Sequence, residues 1–229
     1  MCVLAAREIK DGDVVFVGIG LPNLACNLAR ATHAPNMTLI YESGAVGAIP
    51  DRVPPSIGDP ALVTGSLQVA SMADIFQCFL QNGKIEIGFL GGAQVDKLGR
   101  INTTVVGPYD APKVRLPGSG GASEIAAHAK RVLIVTKLNK RAFPEAVDFV
   151  TSSGKRVAKV ITNMGVLEPG PDGELELTAL HRGVTYAQVQ ENVGWRLRRR
   201  EPLSETPAPS AREIELLRVK LDPKRLHIK

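Results

Sequence analysis

The sequence predicts an α/β fold: an open, largely parallel sheet flanked by helices, built as a single domain. Short apolar runs rich in β-branched residues alternate with longer stretches of helical pattern. Several of these runs end in glycine turns, and the carboxyl ends of strands are where ligands collect in open α/β sheets. The chain has 229 residues, 44% of them hydrophobic, which is enough to bury one large core. No apolar run reaches the roughly 20 residues that a membrane span needs.

Residues 14–19 read as the first strand and contain Gly18; Gly20 follows in the turn. Residues 23–30 have the composition of a helix, with Pro22 suited to its first turn. A strand, a glycine turn and a helix suggest nucleotide binding, but Asn23 stands where the dinucleotide fingerprint needs its third glycine. Residues 37–41 read as a buried strand that delivers one carboxylate, Glu42, into a bend made by Ser43 and Gly44. An acid in that position is either a solvated turn residue or a reactive group.

Residues 48–62 carry Pro50, Pro54, Pro55 and Pro60, which rule out a regular helix and imply an ordered loop packed against something. Ser71 caps a helix that runs to Asn82, with Ile75, Phe76, Phe79 and Leu80 on its inner side and Gly83 as the stop. Residues 85–90 form the next strand and lead into Gly91, Gly92, Ala93, Gln94, Val95 and Asp96. Gly99, Arg100, Ile101 and Asn102 precede another strand at 103–106. A glycine pair at a strand end suits close approach of a ligand or another chain, and equally a tight turn or bulge.

Residues 117–121 form a second glycine cluster containing Gly118, Gly120 and Gly121, with a helix expected over 122–130. Free N–H groups there suit an anion, either a phosphate or a transient oxyanion; the alternative is a plain strand-to-helix turn. Strands are expected at 132–136 and 157–161, with a short one at 175–177. Lys140 and Arg141, between the first two, suit a phosphate or an ordinary surface. A helix is expected over 183–192, then a basic and Pro-rich linker over 196–209. Ser210 and Glu213 form a capping box ahead of Ile214, Leu217 and Leu221. The expected organisation is thus an α/β domain at 1–195, followed by a 196–229 tail whose helix docks on the domain or on a partner.

The net charge is +5, and residues 196–229 hold ten Lys or Arg against five Asp or Glu, so the tail carries the whole excess. The tail has no aromatic residue to stack on bases, and the chain has no helix-turn-helix or RRM signature. Nucleic acid is therefore not an expected partner, and a solvated basic surface that attracts an anionic metabolite is preferred. Cys2, Cys26 and Cys78 are too scattered for a disulfide framework or a metal site. They read as free thiols, with Cys26 and Cys78 packing as small hydrophobes. The first 13 residues lack a signal-peptide hydrophobic region, so a cytoplasmic location is expected and no membrane association.

Gly18, Gly20 and Pro22; Tyr41, Glu42, Ser43 and Gly44; residues 91–96 with Gly99 and Asn102; residues 118–122; and Lys140, Arg141 and Phe143 through Asp148 to Ser152 together resemble the β subunit of family I CoA-transferases. The resemblance is closest to the glutaconate type, which carries Glu-Ser-Gly where the 3-oxoacid type carries Glu-Asn-Gly. It runs in order through roughly the first two thirds of the chain and is weaker in the terminal helix.

This resemblance implies that Glu42 is the nucleophile and that the backbone amides of Gly120 and Gly121 stabilise an oxyanion. It places Gly18, Gly20, Ser43, Gly44, Gly91, Gly92, Gln94, Asn102, Gly118, Lys140 and Arg141 on the substrate and CoA side. The implied activity is transfer of CoA from an acyl-CoA donor to a short (di)carboxylic acid through a glutamyl-CoA thioester. It implies an α subunit in a hetero-oligomer, no cofactor beyond coenzyme A as substrate, and no metal. Two positions depart from the pattern: Arg100 stands where the family usually has Asn, and Ser153 where Pro is common. Both bear on CoA contacts or the partner interface. Relatives that lack the motif glutamate hydrolyse or decarboxylate acyl-CoA esters, and Glu42 favours transfer over those alternatives. A non-enzymatic sugar-phosphate or nucleotide-binding module would leave the proline loop unexplained.

Overall fold

β-Branched runs form the central strands, and their turns build the rest of the architecture around them. The computed structural model describes every residue except Asp51, Val53 and Lys229. The chain divides into two compact units: Met1–Phe89 with His128–Lys130 and Ala208–Lys229, and Leu90–Ala127 with Arg131–Pro207.

The first unit begins with α1 (Cys2–Arg7), β1 (Val14–Phe16), α2 (Leu21–Thr32), β2 (Thr38–Ile40), β3 (Ala45–Val46) and β4 (Gln68–Val69). It continues with α3 (Met72–Asp74), prolonged by wider π-type turns over Ile75–Leu80, and β5 (Ile87–Leu90). The strand order is β5-β1-β2-β3-β4. β1 pairs in parallel with β2 and β5, whereas β3 and β4 fold back antiparallel. α2 starts just after Gly20, with a proline in its first turn as expected, and buries Leu24, Cys26 and Leu28. Each leucine removed from water in this way contributes about 1.5–3 kcal/mol. α1, a helix outside the expected set, packs on α2.

The second unit opens with two small hairpins, β6 (Gln94–Val95) with β7 (Ile101–Asn102) and β8 (Val105–Val106) with β9 (Val114–Arg115). α4 (Ala122–His128), β10 (Arg131–Val135), β11 (Val157–Ile161), β12 (Gly165–Pro169), β13 (Leu175–Leu180), α5 (Tyr186–Glu191) and β14 (Arg198–Glu205) follow. Their strand order is β14-β13-β12-β11-β10. β10 and β11 are parallel, β12 is antiparallel to both its neighbours, and β14 runs parallel to β13. The expected fold class is therefore observed: β5, β1 and β2 form a parallel set in the first unit and β10 and β11 in the second, and each set is extended by antiparallel pairs.

The tail differs from its expected form. No boundary falls at residue 195: the expected linker is strand β14, and the chain then returns to the first unit as α6 (Ala211–Glu215) and wider turns over Leu216–Leu221. The basic run is held by acids on the strands beside it. Arg198 pairs with Asp172 at 2.6 Å and Glu176 at 3.4 Å, and Arg200 with Glu168 at 3.0 Å. These pairs neutralise much of the charge that composition assigns to a solvated surface. The capping box of Ser210 and Glu213 forms as expected, and Glu213 also accepts two hydrogen bonds from Arg7, at 3.0 and 2.8 Å. Leu217 is buried beneath the turn.

The proline-rich stretch is tied down by Arg52, whose guanidinium donates to both Asp59 carboxylate oxygens at 2.8 and 2.7 Å. Asp51 and Val53 of that stretch lie outside the described residues. Cys26 is buried, but Cys78 is exposed, contrary to expectation, because the wide turns carry it outward. Among the described residues no helix is long and apolar enough to cross a membrane.

Candidate active site

β2 ends at Ile40, and the chain reverses at once. Tyr41 N–H donates to Ala45 O at 3.0 Å, Gly44 N–H donates to Tyr41 O at 3.0 Å, and Ile40 lies opposite Val46. Glu42 occupies the tip of this hairpin and is half-buried. Gly44 is required there: its φ is 113°, and a Cβ would stand 2.1 Å from Ala70 O. Ser43 is exposed beside it.

The residue before Glu42 is anchored from α2. Tyr41 is fully buried, and its hydroxyl accepts a hydrogen bond from Asn23 Nδ2. Asn23 Oδ1 in turn accepts from Asn27 Nδ2 at 2.9 Å. Burial pushes the Tyr41 phenol far above its ordinary pKa, so it stays neutral and acts as a fixed strut. The Glu42 carboxylate receives no hydrogen bond from any described residue. Its lone pairs are uncommitted, as a nucleophile requires. Gly18 and Gly20, at the head of α2, face open space: nothing lies within 4 Å of a Cβ built on either.

The second glycine cluster belongs to the second unit. Gly118 N–H donates to Thr103 O at 2.8 Å, and Thr103 Oγ1 donates back to Gly118 O at 2.7 Å. Thr103 N–H is held by Thr151 Oγ1 at 2.9 Å. Beyond this clasp, Gly118 and Gly120 have positive φ of 95° and 48°, with open space around both. Among the described residues the N–H groups of Gly120 and Gly121 find no acceptor. Two adjacent unpaired donors on a pinned turn suit a developing negative charge.

Other expected site residues serve as scaffold. Gln94 and Asn102 are buried, and Asn102 Nδ2 donates to Gln94 Oε1 at 2.7 Å and to Val105 O at 2.6 Å. Gln94 Nε2 donates to Asp148 Oδ2 at 3.1 Å, while Asp148 N–H returns a bond to Gln94 Oε1 at 3.1 Å. Their polar groups are thus hydrogen-bonded to one another, to Asp148 and to Val105 O inside the unit. Gly92 is likewise structural, since a Cβ there would stand 2.3 Å from Ile101. Gly91 is exposed, and its nearest neighbour would be 4.0 Å away. Lys140 and Arg141 are exposed, and no described residue partners their side chains.

The two departures are also local. Arg100 Nε donates at 2.7 Å to Asp96 Oδ2, a carboxylate with no exposure, and Asp96 also accepts N–H bonds from Leu98, Arg100 and Val147. Ser153 Oγ accepts Lys155 N–H at 3.3 Å. Both therefore hold the loop in place. Asn27 and Thr103 support the site without having stood out in the sequence, and Asn23, Thr151 and Asp148 stood out there for other reasons. For Asn27 the sequence signal is polarity inside an apolar helical run.

The sequence profile of the Coenzyme A transferase family matches residues 1–192. The chain is 48% identical to the B-type subunit of the 3-oxoadipate CoA-transferase of Pseudomonas knackmussii, covering 95% of this chain and 90% of the relative. The glutaconate coenzyme A-transferase crystal structure from Acidaminococcus fermentans superposes with a TM-score of 0.90 at 30% identity, covering 100% of this chain and 95% of that one. The decarboxylase AibA/AibB gives a TM-score of 0.91 at 31% identity, covering 99% and 94%. The chain belongs to the Coenzyme A transferase family. Within it, the chain is a B-type subunit and its function is CoA transfer.

Proposed function

We propose that this chain is the nucleophile-bearing subunit of a hetero-oligomeric CoA-transferase, acting with an A-type subunit on short dicarboxylic acids. 3-Oxoadipate is the first acid to test, given the 48% identity with the B-type subunit of a 3-oxoadipate CoA-transferase. The single observation that carries the reading is the Glu42 carboxylate, uncommitted and half-buried at the tip of a hairpin braced by Tyr41 and Gly44.

A carboxylate is a weak nucleophile in water and gains reactivity when it is desolvated and positioned. Glu42 attacks the thioester carbonyl of the donor; the C–S bond breaks, leaving an acyl-glutamyl anhydride and CoA thiolate. The thiolate then attacks the glutamyl carbonyl, the anhydride C–O bond breaks, and the donor acid leaves as its carboxylate. Glu42 now carries CoA as a thioester. An acceptor carboxylate reverses these steps and departs as the new CoA ester. Each addition places negative charge on a carbonyl oxygen, and the unpaired Gly120 and Gly121 N–H groups are the proposed donors to it, each contributing about 3 kcal/mol. Lys140 and Arg141 offer free cations for the anionic parts of the substrates.

Steady-state assay of the enzyme assembled with its A-type subunit tests this. Turnover of a dicarboxyl-CoA should require an acceptor acid and collapse in Glu42→Ala. Turnover with water alone, or release of CO2, would instead support the hydrolase or decarboxylase reading.

A further inference from the structure

The hairpin that carries Glu42 continues into a surface that a stable single chain would not leave open. Ile49, Val63, Leu67, Val69 and Met72 expose 55, 47, 81, 66 and 58% of their surface. The segments carrying Ile49, Val63, Leu67 and Val69 pack side by side. A Cβ on Gly47 would stand 2.7 Å from Leu67 Cγ, and one on Gly65 would stand 3.4 Å from Ile49 Cβ. Ile49 N–H donates to Thr64 O at 2.8 Å, and Val69 lies opposite Ala45. Residues 43–50 and 60–73 contain no Asp, Glu, Lys, Arg or His. Among the described residues β4 is the end strand of its sheet, with no strand beside it on one side of its backbone.

Soluble chains protect exposed edge strands with charge or proline, and an uncharged apolar patch on an edge marks an interaction site. Protein interfaces are depleted of charge at their cores in the same way. We infer that residues 49 and 63–72 form the docking surface for the A-type subunit, and that docking there braces the Glu42 hairpin. The occupant follows from the B-type relatives, each of which is one subunit of a larger enzyme. The coupling follows from the backbone. Ala70 N–H donates to Gly44 O at 2.9 Å, and Ala70 O fills the space a Gly44 side chain would need, so the tip holding Glu42 rests directly on the docking segment.

This inference rests on the proposed two-subunit enzyme, but its test needs no turnover. Sedimentation or light scattering measures assembly of this chain with its own A-type subunit, for the wild type and for Leu67→Asp and Val69→Lys. Each substitution should weaken association roughly 30-fold or more while leaving the melting temperature of the isolated chain unchanged. Val219→Asp, at an exposed position on the C-terminal turn, should assemble as the wild type does. Backbone amides at 63–72 should exchange more slowly in the wild-type complex than in the free chain, a reading that holds even if a variant folds poorly. Glu42→Ala should assemble with full affinity, so failure of the chemistry and failure of the surface are separable. Wild-type affinity in both patch variants, or unprotected amides at 63–72, would overturn the assignment. Self-association of the isolated chain that Leu67→Asp abolishes would assign the surface to a second copy instead.

Discussion

The Glu42 hairpin and the β6–β7 hairpin are both short, glycine-bounded turns carrying polar residues, yet they use those residues in opposite ways. In the first, the backbone around the tip is tied into the hairpin while no described residue donates to the carboxylate itself. In the second, Gln94 and Asn102 spend their hydrogen-bonding capacity on each other, on Asp148 and on Val105 O, and Asp96 spends its own on Arg100 and backbone N–H groups. A polar side chain whose capacity is met inside the chain is scaffold, and one whose neighbours are satisfied without it is free to react. The glycines divide in the same way. Gly44 and Gly92 are fixed by close approach, whereas Gly20 and Gly120 face open space.

Substitutions can break this contrast. Glu42→Ala should lower transfer roughly 10³-fold or more while leaving thermal stability within about 0.5 kcal/mol, read by initial rates and calorimetry. Asp96→Ala should do the reverse, costing about 3–5 kcal/mol in a denaturant titration because it strands Arg100 and three N–H groups. Gly44→Ala should cost roughly 3 kcal/mol through its clash with Ala70 O and its positive φ. Gly120→Ala, with φ of 48° and no neighbour to strike, should cost only about 1 kcal/mol. Equal losses at the two glycines would remove the distinction between closed and open turns.

The smallest expected effect depends on pH. Its hydrogen bonds from Arg198 hold the Asp172 carboxyl at about 2, below its ordinary value of 3.8. A depressed folded pKa adds stability above the unfolded pKa and loses it as pH falls through the folded one. The melting-temperature gap between wild type and Asp172→Asn should therefore be full at neutral pH and should close between about pH 4 and pH 2.

Much of the first unit was legible because its signals are local. The apolar run before Glu42 forms β2, the bend at Ser43 and Gly44 forms the turn, and the side chain of Ser71 caps α3. The strand pair β3–β4 was not legible, since two residues per strand show no alternation. β14 escaped for a related reason: nearly all of its eight residues are exposed, so burial leaves no pattern, and only its ion pairs reveal why it lies flat against β13. Gln94 and Asn102 read as ligand contacts because a glycine-flanked polar residue looks the same whether its partner is a substrate or a side chain 54 positions away, as with Gln94 and Asp148. Tyr41 was visible as part of the motif, but its brace through Asn23 appears only in three dimensions.

The most direct test is mass spectrometry of the assembled enzyme, quenched after incubation with acyl-CoA in the absence of acceptor. CoA should be found in thioester linkage on the peptide containing Glu42, and should leave when an acceptor acid is added. Continued transfer with no adduct on that peptide, or an adduct on another residue, would contradict the assignment of Glu42 as the nucleophile.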